Sequence, residues 1–306
     1  MNQASKQVTE IKTFSEAMVH DSDFINSIKE IEYVMNQQAC TPEALLIVGE
    51  SGVGKTSIVE HVDKKYQVPE SRELSPRPVA FIRQIETISI GSFQEALLAA
   101  LHDLNPSKGT LTEKKLRIMR YKETLGLILV ILDEFHDMLP KTIHERSVSV
   151  KFVKWLIVEL KVSVVMVGLP ACTEIINLSD QIGSRVRRVI NINHFSLASE
   201  AETFRFASFL KSLMKKHPKD IKDLLDESGD GLKRLLLASG GNKRIIKRLL
   251  KSAFDLNPQT KEVNFNLLHE AWIIESSKIE TKNKKISPFK SSINLINKEL
   301  LERGLM

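Results

Sequence analysis

Cysteine is nearly absent: Cys40 and Cys172 are the only two in 306 residues, and neither stands at metal-ligand spacing from the other or from a histidine. That argues against a disulfide framework and a zinc site, and leaves ordinary packing as their expected role. Aromatic residues are only 6% of the chain and do not interleave with lysines, which argues against a stacking platform for single-stranded nucleic acid. No apolar run approaches the ~18 to 20 residues that cross a bilayer, and Met1 to Lys12 holds no apolar leader, so a cytoplasmic protein without membrane contact is expected. No internal repeat of fixed period is visible. What is present is a 42% hydrophobic chain long enough for one large domain and a smaller one. Its net charge of +6 and pI near 9.1 permit a polyanionic partner without requiring one.

The stretch Gly49-Glu50-Ser51-Gly52-Val53-Gly54-Lys55-Thr56, followed by Ser57 and preceded by Leu45-Leu46-Ile47-Val48, fits a nucleotide phosphate-binding loop at every required position. A buried strand delivers the loop, and the glycines let successive N–H groups turn inward around a phosphate. The following helix presents its positive end to the anion. Lys55 is placed to reach the β- and γ-phosphates, and the Thr56 hydroxyl to meet Mg²⁺. Some eighty residues on, Leu127-Ile128-Leu129-Val130-Ile131-Leu132 runs into Asp133-Glu134. An apolar strand ending in two acids is the expected partner of the loop, with Asp133 on Mg²⁺ through water and Glu134 polarising the attacking water. The adjacent Glu favours ATP over GTP, because a Ras-like GTPase positions its water with a glutamine.

Apolar segments at Ala44 to Val48, Val79 to Ile85, Leu127 to Leu132, Val162 to Val167 and Arg188 to Ile192 alternate with helical patterns. The alternation predicts a parallel five-stranded sheet with helices on both faces. Before it, Asp23 to Gln38 reads as an amphipathic helix within an N-terminal extension, residues 1–40. The α/β nucleotide-binding core is assigned to 41–195. After His194 the pattern turns to helices alone, Glu200 to His217, Ile221 to Glu227, Gly231 to Ala238, Lys243 to Phe254 and Asn266 to Ser276, a helical lid over 196–276. Residues 277–306 carry seven Lys or Arg against three Glu and read as a basic tail with a short helix near Ile293 to Arg303.

This layout resembles that of the AAA+ ATPases over about residues 40 to 275, and within them the transposition regulators of the TnsC and TniB type. The residues that carry the resemblance are Leu129-Val130-Ile131-Leu132-Asp133-Glu134-Phe135-His136, Val164-Val165-Met166-Val167-Gly168-Leu169-Pro170 and Ser184-Arg185-Val186-Arg187-Arg188. Ser287-Pro288-Phe289 is similar to a tail signature of some of these regulators. The resemblance implies an ATPase that needs Mg²⁺ and forms a homo-oligomer, a ring or helical filament. That assembly would coat duplex DNA largely independently of sequence and engage a transposase and a target-selector protein. A replication initiator or helicase loader of the same superfamily is the alternative, although only residues 277–306 follow the lid, too few for a winged-helix reader of usual size. A third reading is an ATP-switched interaction protein without DNA.

In such ATPases an arginine from the neighbouring subunit approaches the γ-phosphate. Arg185, Arg187 and Arg188 are the candidates, Arg185 is preferred, and strand alternation would place Arg185 and Arg187 on one side with Arg188 on the other. Arg244, after Gly240-Gly241-Asn242-Lys243, matches the lid position whose arginine contacts nucleotide in cis. Arg244, Lys247, Arg248 and Lys251 share one helical face, with Ile245, Ile246, Leu249 and Leu250 on the buried side. The position after the fourth strand, where many AAA+ proteins carry Asn or Thr, is Gly168-Leu169-Pro170 here, and Thr173 is the local substitute. His136 is expected to make a local hydrogen bond. Candidate contacts to DNA phosphates are Lys108, Lys114, Lys115, Arg117 and Arg120.

Overall fold

The computed structural model describes residues 12–14, 16–37, 41–67, 76–139, 142–178, 180–221, 224–259, 262–277 and 286–306. Cys40, the start of the chain and the basic run Lys278 to Lys285 lie outside the described residues. The chain divides into two compact units. One is Asp23–Ile192; the other combines the residues up to Ser22 with Asn193–Met306. Among the described residues no helix is long and apolar enough to cross a membrane.

The unit Asp23–Ile192 is built on five strands, β1 Ala44–Val48, β2 Val79–Ile82, β3 Leu129–Leu132, β4 Ser163–Gly168 and β5 Val186–Asn191. They lie in the order β2-β3-β4-β1-β5, and every pairing is parallel. The strands β1, β3 and β4 are buried along their whole length. That is why they read as unbroken Val, Ile and Leu runs: both faces of a parallel sheet are covered by the crossover helices. Those helices are α1 Ser22–Gln37, α2 Lys55–Tyr66, α3 Ile90–Ala100, α4 Leu111–Leu125 and α5 Ile143–Val158, with two short ones, α6 Ile175–Leu178 and α7 Asp180–Gly183. Phe93, Leu97, Val130, Phe152, Leu156 and Met166 are among the residues of one continuous core. In this order β4 stands between β3 and β1, so its carboxyl end, Gly168, separates the phosphate loop after β1 from the acids after β3.

At the β5 edge the pairing slips. Ala44 faces Val186, but Leu45 faces Arg188, leaving Arg187 as an extra residue in a bulge. The expected alternation of Arg187 and Arg188 to opposite sides fails for this reason, and both guanidinium groups reach Glu30 on α1.

In the other unit, α8 Glu200–Met214, α9 Asp230–Ser239, α10 Lys243–Leu256, α11 Phe265–Ser277 and α12 Ile293–Glu302 surround a second core containing Phe195, Phe206, Leu213, Leu236, Leu249 and Leu268. Two departures from the sequence reading appear. Where a helix is expected over Ile221 to Glu227, the described residues form a two-residue strand, β6 Asp220–Ile221, paired parallel with β7 Glu262–Val263, and turns at 224–225 and 227–228. Asp226 explains the turns: its carboxylate accepts from the Ser228 hydroxyl and from the Gly231 N–H at 3.2 Å, a local alternative to helix. The chain end is also more than a tail. Phe289, Ile296 and Leu300 are buried in this second core, and Arg234 donates to the carbonyls of Pro288 and Ser291, each at 3.0 Å. The segment before Ser22 joins the same unit, with Phe14 buried edge-on against His217 and Lys247 Nζ donating to the Ala17 carbonyl at 2.7 Å.

Candidate nucleotide site

The loop after β1 has a shape that only its own residues allow. A β-carbon on Gly49 would fall 2.2 Å from the Ile192 carbonyl oxygen, so a side chain there collides with backbone. Gly52 and Gly54 take φ of 85° and 101°, the left-handed region that glycine enters without steric cost. Gly54 is also the N-cap of α2 and supplies no side-chain acceptor, so the first-turn N–H groups of the helix turn toward the loop. Val53 is buried beneath it. Lys55 is buried too, and its ammonium donates to the carbonyls of Gly49 at 2.7 Å and Glu50 at 3.0 Å. Those are bonds that phosphate oxygens would take over.

Across the end of β4, the structure brings Asp133 to Thr56: the Thr56 hydroxyl hydrogen-bonds the Asp133 carboxylate, which also accepts from the Glu134 N–H at 2.9 Å. Asp133 is 3% exposed. Burial pushes its carboxyl above the usual range, while the two hydrogen bonds and nearby Lys55 pull it back down. Glu134 sits at φ 48° as the N-cap of a short 3₁₀ turn, Phe135–Met138, with its side chain about half exposed. Its Oε2 lies 3.4 Å from His136 Nδ1, and His136 Nε2 lies 3.7 Å from an Asp137 oxygen. The first-sensor position is a glycine in more than name, since a β-carbon on Gly168 would meet Cys172 Sγ at 2.5 Å and His136 N at 3.2 Å. Thr173 does not substitute for it, because its hydroxyl donates back to the Pro170 carbonyl at 2.9 Å within its own turn. Cys172 is buried, which pushes its thiol up to about 12 and keeps it an inert packing group.

A loop-and-acid site of this kind at the carboxyl ends of β1 and β3 coincides with a family profile described as bacterial TniB protein, which matches residues 15–195, more than half of the chain. The chain belongs to the TniB family. No curated protein sequence matches it significantly. Among solved structures, this TniB chain is similar to the ORC2 protein of Aeropyrum pernix in its ADPNP-ADP complexes, with 14% identity, 86% of this chain and 71% of that chain covered, and a TM-score of 0.60. It is similar to Cdc6p of Pyrobaculum aerophilum at 12% identity, 96% and 89% coverage and a TM-score of 0.61. The Aeropyrum pernix ORC1 protein in complex with DNA matches at 16% identity, 94% and 78% coverage and a TM-score of 0.58. These likenesses establish the fold, the AAA+ α/β core followed by a helical lid.

The remaining candidates of the TniB chain divide into placed and displaced. Arg185 makes one long hydrogen bond, 3.4 Å to the Pro42 carbonyl. Arg187 stacks 3.6 Å over the Tyr33 ring and faces Glu30 at 3.6 Å and Glu43 at 4.0 Å, and Arg188 pairs with Glu30. Glu30 and Tyr33 were not legible from sequence, because only the bulge brings their partners together. Arg244 lies in the first turn of α10, whose N-cap Asn242 accepts from its N–H at 3.0 Å. The expected basic stripe on α10 is largely committed within its unit: Lys247 to Ala17, Arg248 to Glu275 at 2.5 Å and Lys251 to Asp255 at 3.7 Å.

Of the five DNA candidates, Lys114 is a correction. It is buried and paired with Glu95 at 2.6 Å, which leaves it nothing to offer a phosphate. Arg117 is half-buried and committed within the chain, bracing the α3–α4 loop through Asp103 at 3.3 Å and the carbonyls of Asn105 and Lys108 at 3.2 and 2.7 Å. Lys115 pairs with Glu159 at 2.6 Å and lies over the Trp155 ring. Lys108 and Arg120 stay exposed.

Proposed function

We propose that this chain is an ATP-hydrolysing regulator of transposition that assembles as a homo-oligomer on duplex DNA and hands the bound site to a transposase, with a target-selector protein as a further partner. The observation that carries the reading is the convergence of Lys55, Thr56, Asp133 and Glu134 at the carboxyl ends of β1 and β3, on either side of β4. Gly49, Glu50, Ser51, Gly52, Val53, Gly54 and Ser57 complete the phosphate cradle. The donor set fits a triphosphate: orphan helix N–H groups, a buried ammonium held by exchangeable carbonyl bonds, and a hydroxyl–carboxylate pair. Thr56 and Asp133 would hold Mg²⁺, which supplies charge neutralisation across the β- and γ-phosphate oxygens. Glu134 accepts the proton of the water that attacks the γ-phosphorus, the bond to the β–γ bridging oxygen breaks, and ADP leaves. Arg185 of a neighbouring subunit stabilises the charge that spreads over the transferred group. Membership of the TniB family supports the transposition context, and fold relatives solved with DNA support a duplex ligand.

The test is negative-stain imaging of the purified protein with a duplex of about 60 base pairs, roughly 200 Å at ~3.4 Å per pair, with and without ATP or a slow analogue. Rings or filaments that need both ATP and DNA are the expected outcome. Assembly that is indifferent to DNA would replace this reading with that of an ATP-switched interaction protein.

A further inference from the structure

The end of β4 carries no polar side chain, yet it stands between the phosphate loop and the two acids, where a hydrolytic site needs something to orient the attacking water. Two groups lie over Gly168, Cys172 Sγ and the His136 imidazole. A β-carbon on Gly168 would lie 2.5 Å from Cys172 Sγ, 3.2 Å from the His136 backbone N and 3.4 Å from Nδ1, so the edge of the ring stands within van der Waals reach of the strand end. The ring is aimed: Nδ1 lies 3.4 Å from Glu134 Oε2. Nδ1 is also buried and makes no hydrogen bond of good geometry, although a buried polar nitrogen normally finds a partner. A small rotation of the half-exposed Glu134 carboxylate completes it.

We infer that His136 is the positioning residue of this site, doing through Nδ1 what a polar residue after the fourth strand would do, and setting the Glu134 carboxylate toward the water it activates. This inference rests on the reading of Glu134 as the hydrolytic base, and the experiment separates the two.

ATP turnover and the affinity for a fluorescent ATP analogue are measured for Glu134→Gln, His136→Ala, His136→Asn and His136→Gln in the full chain. Asn places its amide near the position of Nδ1, whereas Gln reaches that of Nε2. The expected pattern is a His136→Ala turnover lower by roughly 10- to 100-fold, the scale of a mispositioned reacting group, with nucleotide affinity changed by less than about 2-fold. His136→Asn recovers most of the rate, and His136→Gln does not. A normal kcat in His136→Ala overturns the proposal, as does loss confined to KM or an Asn variant no faster than Ala. Full turnover in Glu134→Gln instead overturns the assignment of the base, whatever the histidine variants do.

Discussion

Lys55 and Gly49 act on the same loop through different physics, and their variants should separate. On the proposed function Lys55 would supply charge-assisted bonds to phosphate, each worth about 1.5–3 kcal/mol, so Lys55→Ala should weaken nucleotide binding by roughly 10- to 100-fold or more in a fluorescence titration. Gly49→Ala should act on the fold first, because the new methyl lands 2.2 Å from the Ile192 carbonyl oxygen. Overpacking of this kind costs about 1–3 kcal/mol, read as a lower melting temperature before any ligand is added. A Gly49→Ala protein that melts like the parent would show that the loop can shift away from β5 without strain. Both residues are legible from sequence because the phosphate loop is contiguous: its chemistry needs eight residues in a row. His136 and Glu30 are not legible in that way. Their roles depend on a glycine 32 positions later and on a bulge in a strand more than 150 positions later, and nothing local marks either.

Helix α4 shows how an element conceals which of its charges are available. Thr110 and Glu113 form a capping box at its N-terminus, with Glu113 Oε2 2.7 Å from the Thr110 N–H, so Glu113 is a cap and not a decoration of the surface. Lys114 turns inward to Glu95 and Arg117 braces the preceding loop. The periodicity that locates the helix also predicts an apolar side, but not that a lysine will be part of it. Lys114→Ala should therefore lower stability by about 1 kcal/mol, the upper range for a partly exposed pair. Lys108→Ala and Arg120→Ala should leave the melting curve unchanged and each lower the salt slope of duplex binding by about 0.9. Equal salt slopes in parent and double variant would move the DNA surface elsewhere.

The lid carries its own pH dependence. His217 is buried between Phe14 and Phe254, with Nε2 3.3 Å from the Leu250 carbonyl and Nδ1 3.0 Å from that of Lys219. Burial pushes its pKa down despite those two carbonyls, so the folded ring stays neutral where the unfolded one binds a proton. The unfolded state then holds more protons below the ordinary histidine pKa of about 6.5, and stability falls as pH drops from there toward the depressed folded value. Melting temperatures at successive pH values should show this slope, and His217→Phe should flatten it.

At the scale of the whole molecule the sequence reading placed five strands and the succession from α/β core to helical unit, because continuous apolar runs and 3.6-residue periods are local signals. It misplaced the chain ends. The residues before Ser22 and those after Ile286 belong with the helical unit, held by Phe14, Phe289, Ile296 and Leu300, whose burial no local pattern distinguishes from that of a solvated tail. Only long-range packing reveals such anchors.

The same scale bears on which arginine would complete the nucleotide site of a neighbour in the proposed assembly. Arg187 and Arg188 are engaged by Glu30 and Tyr33 of their own chain, while Arg185 is held by a single 3.4 Å bond that a γ-phosphate would readily replace. If Arg185 acts in trans, a head-to-tail assembly can be complemented by mixing two inactive variants. Arg185→Ala subunits keep a sound Glu134, and Glu134→Gln subunits keep a sound Arg185, so one interface order out of four in a random equal mixture is fully equipped. Each variant alone should hydrolyse ATP at a small fraction of the parental rate, since a finger arginine is worth about 10³ or more in kcat. The mixture should return to about a quarter of the parental rate, because heterologous interfaces form independently around a ring or filament. Arginine acting within its own subunit predicts no recovery at any mixing ratio, and the same experiment with Arg187→Ala or Arg188→Ala in place of Arg185→Ala tells whether Glu30 releases either of them on assembly.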